Sequence, residues 1–520
     1  MSSNENEVYG TKTSRNSGKS AQRMNIYTAR LVADAIRSTL GPKGMDKMVV
    51  DSSGNITVTN DGVCILKEIS VEHPTAKMIV EIAKTQEDEV GDGTTSAVVI
   101  AGELLKKAED LLDNNIHPSI INKGFRLASE FCIQEINKSS IKAELNDETL
   151  KKIAITAMTG KGAEDHKDTL SSLLVEACNN IRTDEKIDIT NITIEKKTGG
   201  TIRNSKLIKG VLIDKEKVLS SMPSEISDAR VLLLDYPVQV KSPEIDTKFN
   251  ITNADKIAEL LNYEERSIKE LVSKIESSGC NVLFCQKGID DLAMHLLAKK
   301  GIYAVRRVKK SDMQRLSKAT GANVTSDLNE LDSTILGHCS VSEFKVKDDT
   351  LTLVDNCKNP LVLTILIRGT SDHIIDEIKR ALDDALGDIN SLFKNKKVVS
   401  GAGSLEMHLS LKLEDFSNSI SGREQLAIKA FSEALQIIPK TLADNAGLDS
   451  VDMLTKLKSA NKNNSHMGLD VFSGEIVNSF EEGILEPVNI KLQAISSACE
   501  VAIMILRIDD IILADPKDDS

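Results

Sequence analysis

Both ends of this chain are written in one periodicity, long helices with an apolar stripe, whereas the middle alternates short apolar runs with helical stretches. Few folds accommodate that order. Near the front, Ile26, Ala29, Leu31, Val32, Ala35 and Ile36 recur at three- and four-residue steps and stop at Gly41-Pro42. A hairpin is expected next, with strands Met48-Val49-Val50 and Ile56-Thr57-Val58-Thr59 about the turn Asp51-Ser52-Ser53-Gly54-Asn55. Helical spacing then runs from Thr75 to about Ser140, broken at Gly91-Asp92-Gly93 and at His117-Pro118. It returns near the far end in Glu424 to Leu435 and Ile490 to Leu506. Between these, Ile192-Thr193-Ile194-Glu195, Gly210-Val211-Leu212-Ile213, Val231-Leu232-Leu233-Leu234, Val282-Leu283-Phe284 and Ala304-Val305 read as strands of an α/β region. A long charged helix there carries Ile257, Leu260, Leu261, Ile268, Leu271, Val272 and Ile275 along one side, after the loop Ser242-Pro243-Glu244-Ile245. A domain assembled from both termini, with others inserted, explains the order. No short-period repeat is visible.

At 520 residues the chain is long enough for several packed cores, and its 40% hydrophobic and 28% charged content is that of a globular rather than a disordered protein. Its 65 basic and 78 acidic residues give a formal charge of -13, which weighs against a nucleic acid backbone as the main partner. Aromatic residues are 3% with no Trp, too few for platforms that stack single-stranded bases. No apolar run approaches the length of a bilayer span, and Met1 to Asn25 lacks an apolar signal region, so a cytoplasmic protein with no membrane partner is expected. The cysteines, Cys64, Cys132, Cys178, Cys280, Cys285, Cys339, Cys357 and Cys499, form no CxxC pair and have no histidines at ligand spacing, which predicts buried reduced thiols.

The strongest chemical signal is Gly91-Asp92-Gly93-Thr94-Thr95-Ser96, directly before the apolar helix Ala97-Val98-Val99-Ile100-Ala101. Glycines let backbone approach a phosphate, and the first amides of a helix face an anion with the positive end of its dipole. An aspartate among such donors makes sense as a ligand of Mg²⁺, which takes carboxylate and phosphate oxygens together. The same letters also describe a glycine turn capping a helix. Thr39-Leu40-Gly41-Pro42-Lys43-Gly44 and Thr59-Asn60-Asp61-Gly62 read singly as a helix stop and a turn, and gain value only jointly. Neither GxxxxGK[ST] nor a GxGxxG after a strand occurs.

Those phrases, Leu40-Gly41-Pro42-Lys43-Gly44-Met45-Asp46-Lys47-Met48, Thr59-Asn60-Asp61-Gly62 and Glu89-Val90-Gly91-Asp92-Gly93-Thr94-Thr95, closely resemble the group II chaperonins, the archaeal thermosome and the eukaryotic cytosolic chaperonin. Phe284-Cys285-Gln286-Lys287-Gly288-Ile289-Asp290-Asp291, Arg306-Arg307-Val308-Lys309-Lys310-Ser311-Asp312-Met313, Gly422-Arg423-Glu424-Gln425-Leu426-Ala427-Ile428 and Met504-Ile505-Leu506-Arg507-Ile508-Asp509-Asp510 extend the likeness over Ala21 to Ala514. It leans toward the archaeal members.

The resemblance implies an α+β multidomain chaperonin fold behind a polar tail at 1–20. A mostly helical equatorial ATPase domain would take 21–145 and 403–520, and a small α/β intermediate domain 146–217 and 369–402. An α/β apical domain would take 218–368, with a helical protrusion at about 242–275 that serves as a built-in lid and shows apolar residues such as Ile245, Phe249 and Ile251. Carried over residue by residue, Thr39, Leu40, Gly41 and Pro42 meet the phosphates, Asp92 binds Mg²⁺, and Gly93, Thr94, Thr95 and Ser96 cradle the phosphates. Asp61 and Asp384 orient and activate the attacking water, and Lys161 senses the terminal phosphate. Gly401, Ala402, Gly403, Gly468, Ile484 and Glu486 lie by purine and ribose. ATP and Mg²⁺ are the implied cofactors, with K⁺ as a further candidate; the partners are non-native proteins and identical or paralogous subunits of a double ring. By spacing alone, Asp384 is a helix ion-pair partner of Arg380, four residues before it, and Lys161 a solvated loop lysine.

Some positions depart from the family pattern. Gly401-Ala402-Gly403 stands for a triple glycine, after Ser400 where proline is common, and Arg368-Gly369-Thr370 lacks a second glycine. Glu87 replaces a frequent aspartate. The leading expectation is an ATP-dependent folding chaperonin. The altered turns motivate the alternative of a nucleotide-binding scaffolding ring, and a small-molecule kinase lacks a legible acceptor pocket.

Overall fold

The computed structural model describes residues 13–51, 53–69, 71–183, 186–240, 254–328, 333–346, 349–357 and 362–514. They form two compact units, one from Met1–Val175 with Asp376–Ser520, the other from Glu176–Ile375.

Helix Thr94–Asp113 is the centre of the first unit, because its stretch from Ala97 to Leu105 is almost wholly apolar and buried on every side. Around it pack Lys19–Arg37, Pro74–Val90, Glu424–Leu435 and Val488–Leu506, which merges residues from both ends of the chain into one core. Gly102 lets the 19–37 helix come so near that a Cβ there would stand 2.4 Å from the Ala33 Cβ. The apolar stripe of that helix differs from the expected one at Leu31 and Ala35, which face solvent, while Ala33 is buried. His117-Pro118 breaks one helix by starting another: the His117 ring nitrogen accepts from the Ser119 amide and proline takes the first position of Pro118–Ser139, where its missing N–H is no loss. The hairpin pairs Lys47–Val50 with Ile56–Thr59, antiparallel. Thr13–Ser17 pairs with Asp510–Ala514, and Arg15 meets Asp510 at 2.6 Å.

In the second unit, the strands Tyr303–Val305, Val282–Cys285, Glu225–Leu234, Gly337–Val346, Asp349–Asp355 and Gly210–Ile213 lie side by side in that order, with Val324–Thr325 beside the end of the third. The sheet is covered on both faces, which is why its strands read as unbroken apolar runs. Val231, Leu233 and Phe284 enter a core with Met313 and Leu316 of helix Lys310–Thr320. Leu232, Leu234 and Leu283 enter another with Ile268, Val272 and Ile275 of helix Ala254–Ser277. A second sheet sets Leu363–Gly369 between Ile192–Thr198, parallel, and Lys206–Ile208, antiparallel. The loop Ser242 to Ile245, Phe249, Ile251 and the side chains of Ile257, Leu260 and Leu261 lie outside the described residues.

The expectation about apolar runs needs correction. Val488–Leu506 is long and apolar enough to cross a membrane, by length and composition. Its apolar residues are spent on the interior instead: Ile490, Ala494, Ile495, Ala498, Ala502 and Ile505 belong to the helical core. All eight cysteines are free, and Cys64 and Cys357 alone are only half-buried.

Candidate functional site

A cavity of about 420 Å³ opens in the helical unit where the ends of its elements converge. Thr39, Leu40, Gly41 and Pro42 line it at the end of the 19–37 helix, where the Thr39 hydroxyl donates to the Ile36 carbonyl at 2.8 Å. Gly41 has φ +84, and a Cβ on it would strike Leu442 at 2.2 Å. Asp92, Gly93, Thr94, Thr95 and Ser96 line the opposite wall. Gly91 and Gly93 take φ of +89 and +80, so the loop turns twice through the left-handed region before the 94–113 helix begins. The Gln86 amide pins it by donating to the Asp92 carbonyl at 2.9 Å and the Ile490 carbonyl at 3.2 Å. The first amides of that helix therefore lack intrahelical acceptors at the cavity wall, the arrangement that binds anions.

Lys161 sits between helices Asp147–Met158 and Lys167–Ile181. Its loop presses on the 39–42 segment: a Cβ on Gly160 would lie 2.4 Å from the Pro42 Cα, and the Asn60 side-chain amide donates to the Gly160 carbonyl at 2.8 Å. The Lys161 ammonium lies 2.5 Å from Asp384 Oδ2 and 3.6 Å from Asp92 Oδ1. This corrects both spacing-based readings. Lys161 is no solvated lysine, and Asp384 pairs with it rather than with Arg380, which meets Glu377 at 2.6 Å. Asp384 stands on helix Asp372–Asn395 with its side chain 20% exposed beside the 19% exposed Lys161, so the pair is shielded from water only in part. Burial raises the Asp384 pKa; Lys161 opposes the rise, and the charges of Asp92 and Asp61 add to it. Burial alone lowers that of Lys161, but the two carboxylates reverse the sign.

Asp61 also lines the cavity, and its carboxylate accepts from the amides of Val63 and Cys64, so the Thr59-Asn60-Asp61-Gly62 turn is also the start of a short helix, Gly62–Glu68, that Asp61 caps. Asp388 lines the cavity and was missed. It follows Asp384 by one helical turn, and that i, i+4 spacing was the available signal. It is 2% exposed, and burial, then the charge of Asp92, raises its pKa well above the carboxylate range. Its Oδ1 has no hydrogen-bond partner among the described residues.

The far wall is built by strand pairing. Lys397–Ser400 runs antiparallel to Leu485–Pro487, which sets Glu486 opposite Val399 and draws the Gly401 amide to the Ile484 carbonyl at 2.9 Å. Ala402, Gly403, Ile484 and Glu486 line the cavity. Gly401 stands behind Glu486, and Gly468 behind Ala402, whose carbonyl accepts from the Leu469 amide at 3.0 Å. Ala402 has φ +59 and Gly403 φ +71, so the alanine adopts a left-handed turn that glycine adopts freely. That strain costs about 1–2 kcal/mol, against about 0.4–1 kcal/mol for the extra unfolded-state freedom of a glycine. Ala402→Gly is therefore expected to stabilise the protein by about 0.5–1 kcal/mol, read as a higher denaturant midpoint at unchanged slope.

These residues fit a magnesium-bound phosphate. Among the described residues no group of three His, Cys, Asp or Glu could hold a metal by itself. Mg²⁺ is commonly held by one or two carboxylates together with phosphate oxygens, so Asp92 beside a glycine-lined anion cradle and the orphaned Asp388 oxygen suit that mode. The TCP-1/cpn60 chaperonin family matches residues 32–516. The chain belongs to that family. Thermosome subunit beta of Methanothermobacter thermautotrophicus is 52% identical over 503 residues, spanning 96% of this chain and 93% of the relative. Thermosome subunit beta of Archaeoglobus fulgidus is 53% identical and thermosome subunit alpha of the same organism 50%, each over 509 residues with the same two coverages. This chaperonin chain is thus similar to alpha and beta subunits alike.

Proposed function

We propose that this chaperonin chain is one subunit of a group II double ring, binds Mg·ATP in the cavity of its helical unit and hydrolyses it to close a built-in lid over non-native protein. The observation that carries the reading is the Lys161–Asp384–Asp92 cluster set beside two glycine-rich turns and a helix N-terminus. Phosphoryl transfer needs positioned charge and an aligned water more than covalent chemistry; this constellation supplies the charge, and its carboxylates are groups able to orient such a water.

Asp92 would hold Mg²⁺, which when bound neutralises charge on the phosphate oxygens. The amides after Gly93 and the hydroxyls of Thr94, Thr95 and Ser96 bind the phosphates, and Gly41-Pro42 closes over them. Asp384, with Asp61, orients a water on the terminal phosphate and takes its proton; its raised pKa suits a base working near neutrality. Lys161 meets the developing charge and exchanges its carboxylate partners for phosphate oxygens as the ligand arrives. That exchange is a differential contact able to bias an open-closed equilibrium. Glu486 and the 401–403 turn take the nucleoside end. In the three-part division, 146–217 and 369–402 carry the bias from the equatorial ATPase to the apical part at 218–368. Ala402 adopts the left-handed conformation that Gly403 beside it adopts, so the 401–403 turn gives the scaffolding alternative no support.

The test is phosphate release and electron microscopy on the purified oligomer. With Mg·ATP, turnover and closed rings are expected; chelating the magnesium with excess EDTA abolishes turnover, and the rings stay open. Oligomers with no affinity for ATP in either condition sink the reading.

A further inference from the structure

Phe472 is absent from the roles assigned above, yet it lines the same cavity. Its neighbour Val471 is buried in the helical core, whereas Phe472 is 57% exposed and so stands where the cavity opens to water. It belongs to the turn between strands Met467–Asp470 and Glu475–Asn478, which pair antiparallel. Asp470 braces that turn from within, since its carboxylate accepts from the Phe472 amide at 2.9 Å and from the Ser473 hydroxyl at 2.6 Å. A single exposed phenylalanine is ordinary on a protein surface. This one carries two ammonium groups: Lys43 Nζ lies 5.8 Å and Lys167 Nζ 5.9 Å from the centre of its ring, within the range at which the negative face of an aromatic ring attracts a cation.

The lysines come from the two loops that face the phosphates in the reading above. Lys43 directly follows Gly41-Pro42. Lys167 closes the loop that carries Lys161: its ammonium meets Glu164 Oε1 at 2.6 Å, while Glu164 Oε2 accepts from the Gly160 amide at 2.8 Å, which ties that loop end to end. Moving either loop away from the cavity therefore lifts an ammonium off the ring. We propose that Phe472 is a positioning residue that straps the 39–44 and 159–167 loops across the cavity opening by holding Lys43 and Lys167 on its ring, and so sets how fast nucleotide enters and leaves. The proposal rests on the nucleotide reading above. Because the strap joins protein to protein, it weights closed over open loops equally with and without ligand. It slows entry and exit together and leaves their ratio, the affinity, alone.

The experiment is stopped-flow fluorescence on the intact oligomer with Mg·ADP carrying an N-methylanthraniloyl label, which gives both rate constants and their ratio. Phe472→Ala is expected to raise the association and dissociation rates alike, each on the order of tenfold, the combined weight of two exposed cation–ring contacts, with Kd within about threefold of native. Phe472→Leu, apolar but without a ring, behaves as the alanine variant, whereas Phe472→Tyr keeps both rates within about threefold of native. Lys43→Met raises both rates about threefold in the native background and adds nothing to Phe472→Ala, since effects that run through one contact do not add. An alanine or leucine variant with native rates, a tyrosine variant as fast as the alanine one, a change carried by dissociation alone, or lysine and phenylalanine effects that multiply in full overturns the strap. Native protein that binds neither Mg·ADP nor Mg·ATP overturns the nucleotide reading itself.

Discussion

Asp384→Ala is expected to slow steady-state ATP hydrolysis by about 10²- to 10⁴-fold, the usual contribution of a general base, while Mg·ATP affinity changes little. The reasoning runs through Lys161. Its ammonium has two carboxylate neighbours, Asp384 at 2.5 Å and Asp92 at 3.6 Å, so losing the first still leaves it a partner and leaves the phosphate cradle intact. Asp384→Asn keeps the shape and a hydrogen-bonding group but not the base, and should be about as slow. Single-turnover phosphate release separates chemistry from binding. An alanine variant turning over at the native rate would falsify the assignment of Asp384 as the group that activates water.

Gly91→Ala is expected to destabilise the helical unit by about 2–5 kcal/mol. The left-handed φ of +89 contributes about 1–2 kcal/mol of strain, and overpacking about 1–3 kcal/mol, since a Cβ there would lie 2.7 Å from the Gly387 Cα, which is backbone and cannot rotate away. Against a typical total of about 5–15 kcal/mol this is a large share. The control is Gly54→Ala in the 47–59 hairpin, where φ is +84 and nothing lies within 4 Å, so strain acts alone. Chemical denaturation of both variants gives the comparison; equal losses would mean that the close approach to Gly387 carries no energy. Because Gly91 and Gly387 are neighbours in sequence of Asp92 and Asp388, the same contact registers two cavity-lining carboxylates against each other.

What could be read from residues in order follows their range of interaction. Helix Glu424–Leu435 was legible to the residue because its signal is local, an apolar repeat of one turn. The strand Val282–Cys285 was legible as an apolar run, with helices on both faces of its sheet. Thr13–Ser17 was not: its five polar letters carry no strand pattern, and its partner lies at Asp510–Ala514. Leu31 fitted the helical repeat yet faces solvent, because which neighbours cover a helix is not written in the helix. At the cavity, the glycine turns at 41 and 91–93 were found from composition because backbone needing φ > 0 selects glycine. Asp384 and Lys161 carried no composition signal of their own; only their likeness to family phrases marked them.

By itself, then, the order of amino acids determined the types of the strongly patterned elements, the two glycine-bearing turns and the aspartate between donors, since each depends on neighbours a few positions away. Tertiary structure alone decided that Lys161 turns to Asp384 and that Lys491 reaches Glu406. Lys161 and Asp384 are charges distant in the chain, and such a charge takes its partner from whatever folding brings within about 4 Å, which no local pattern encodes.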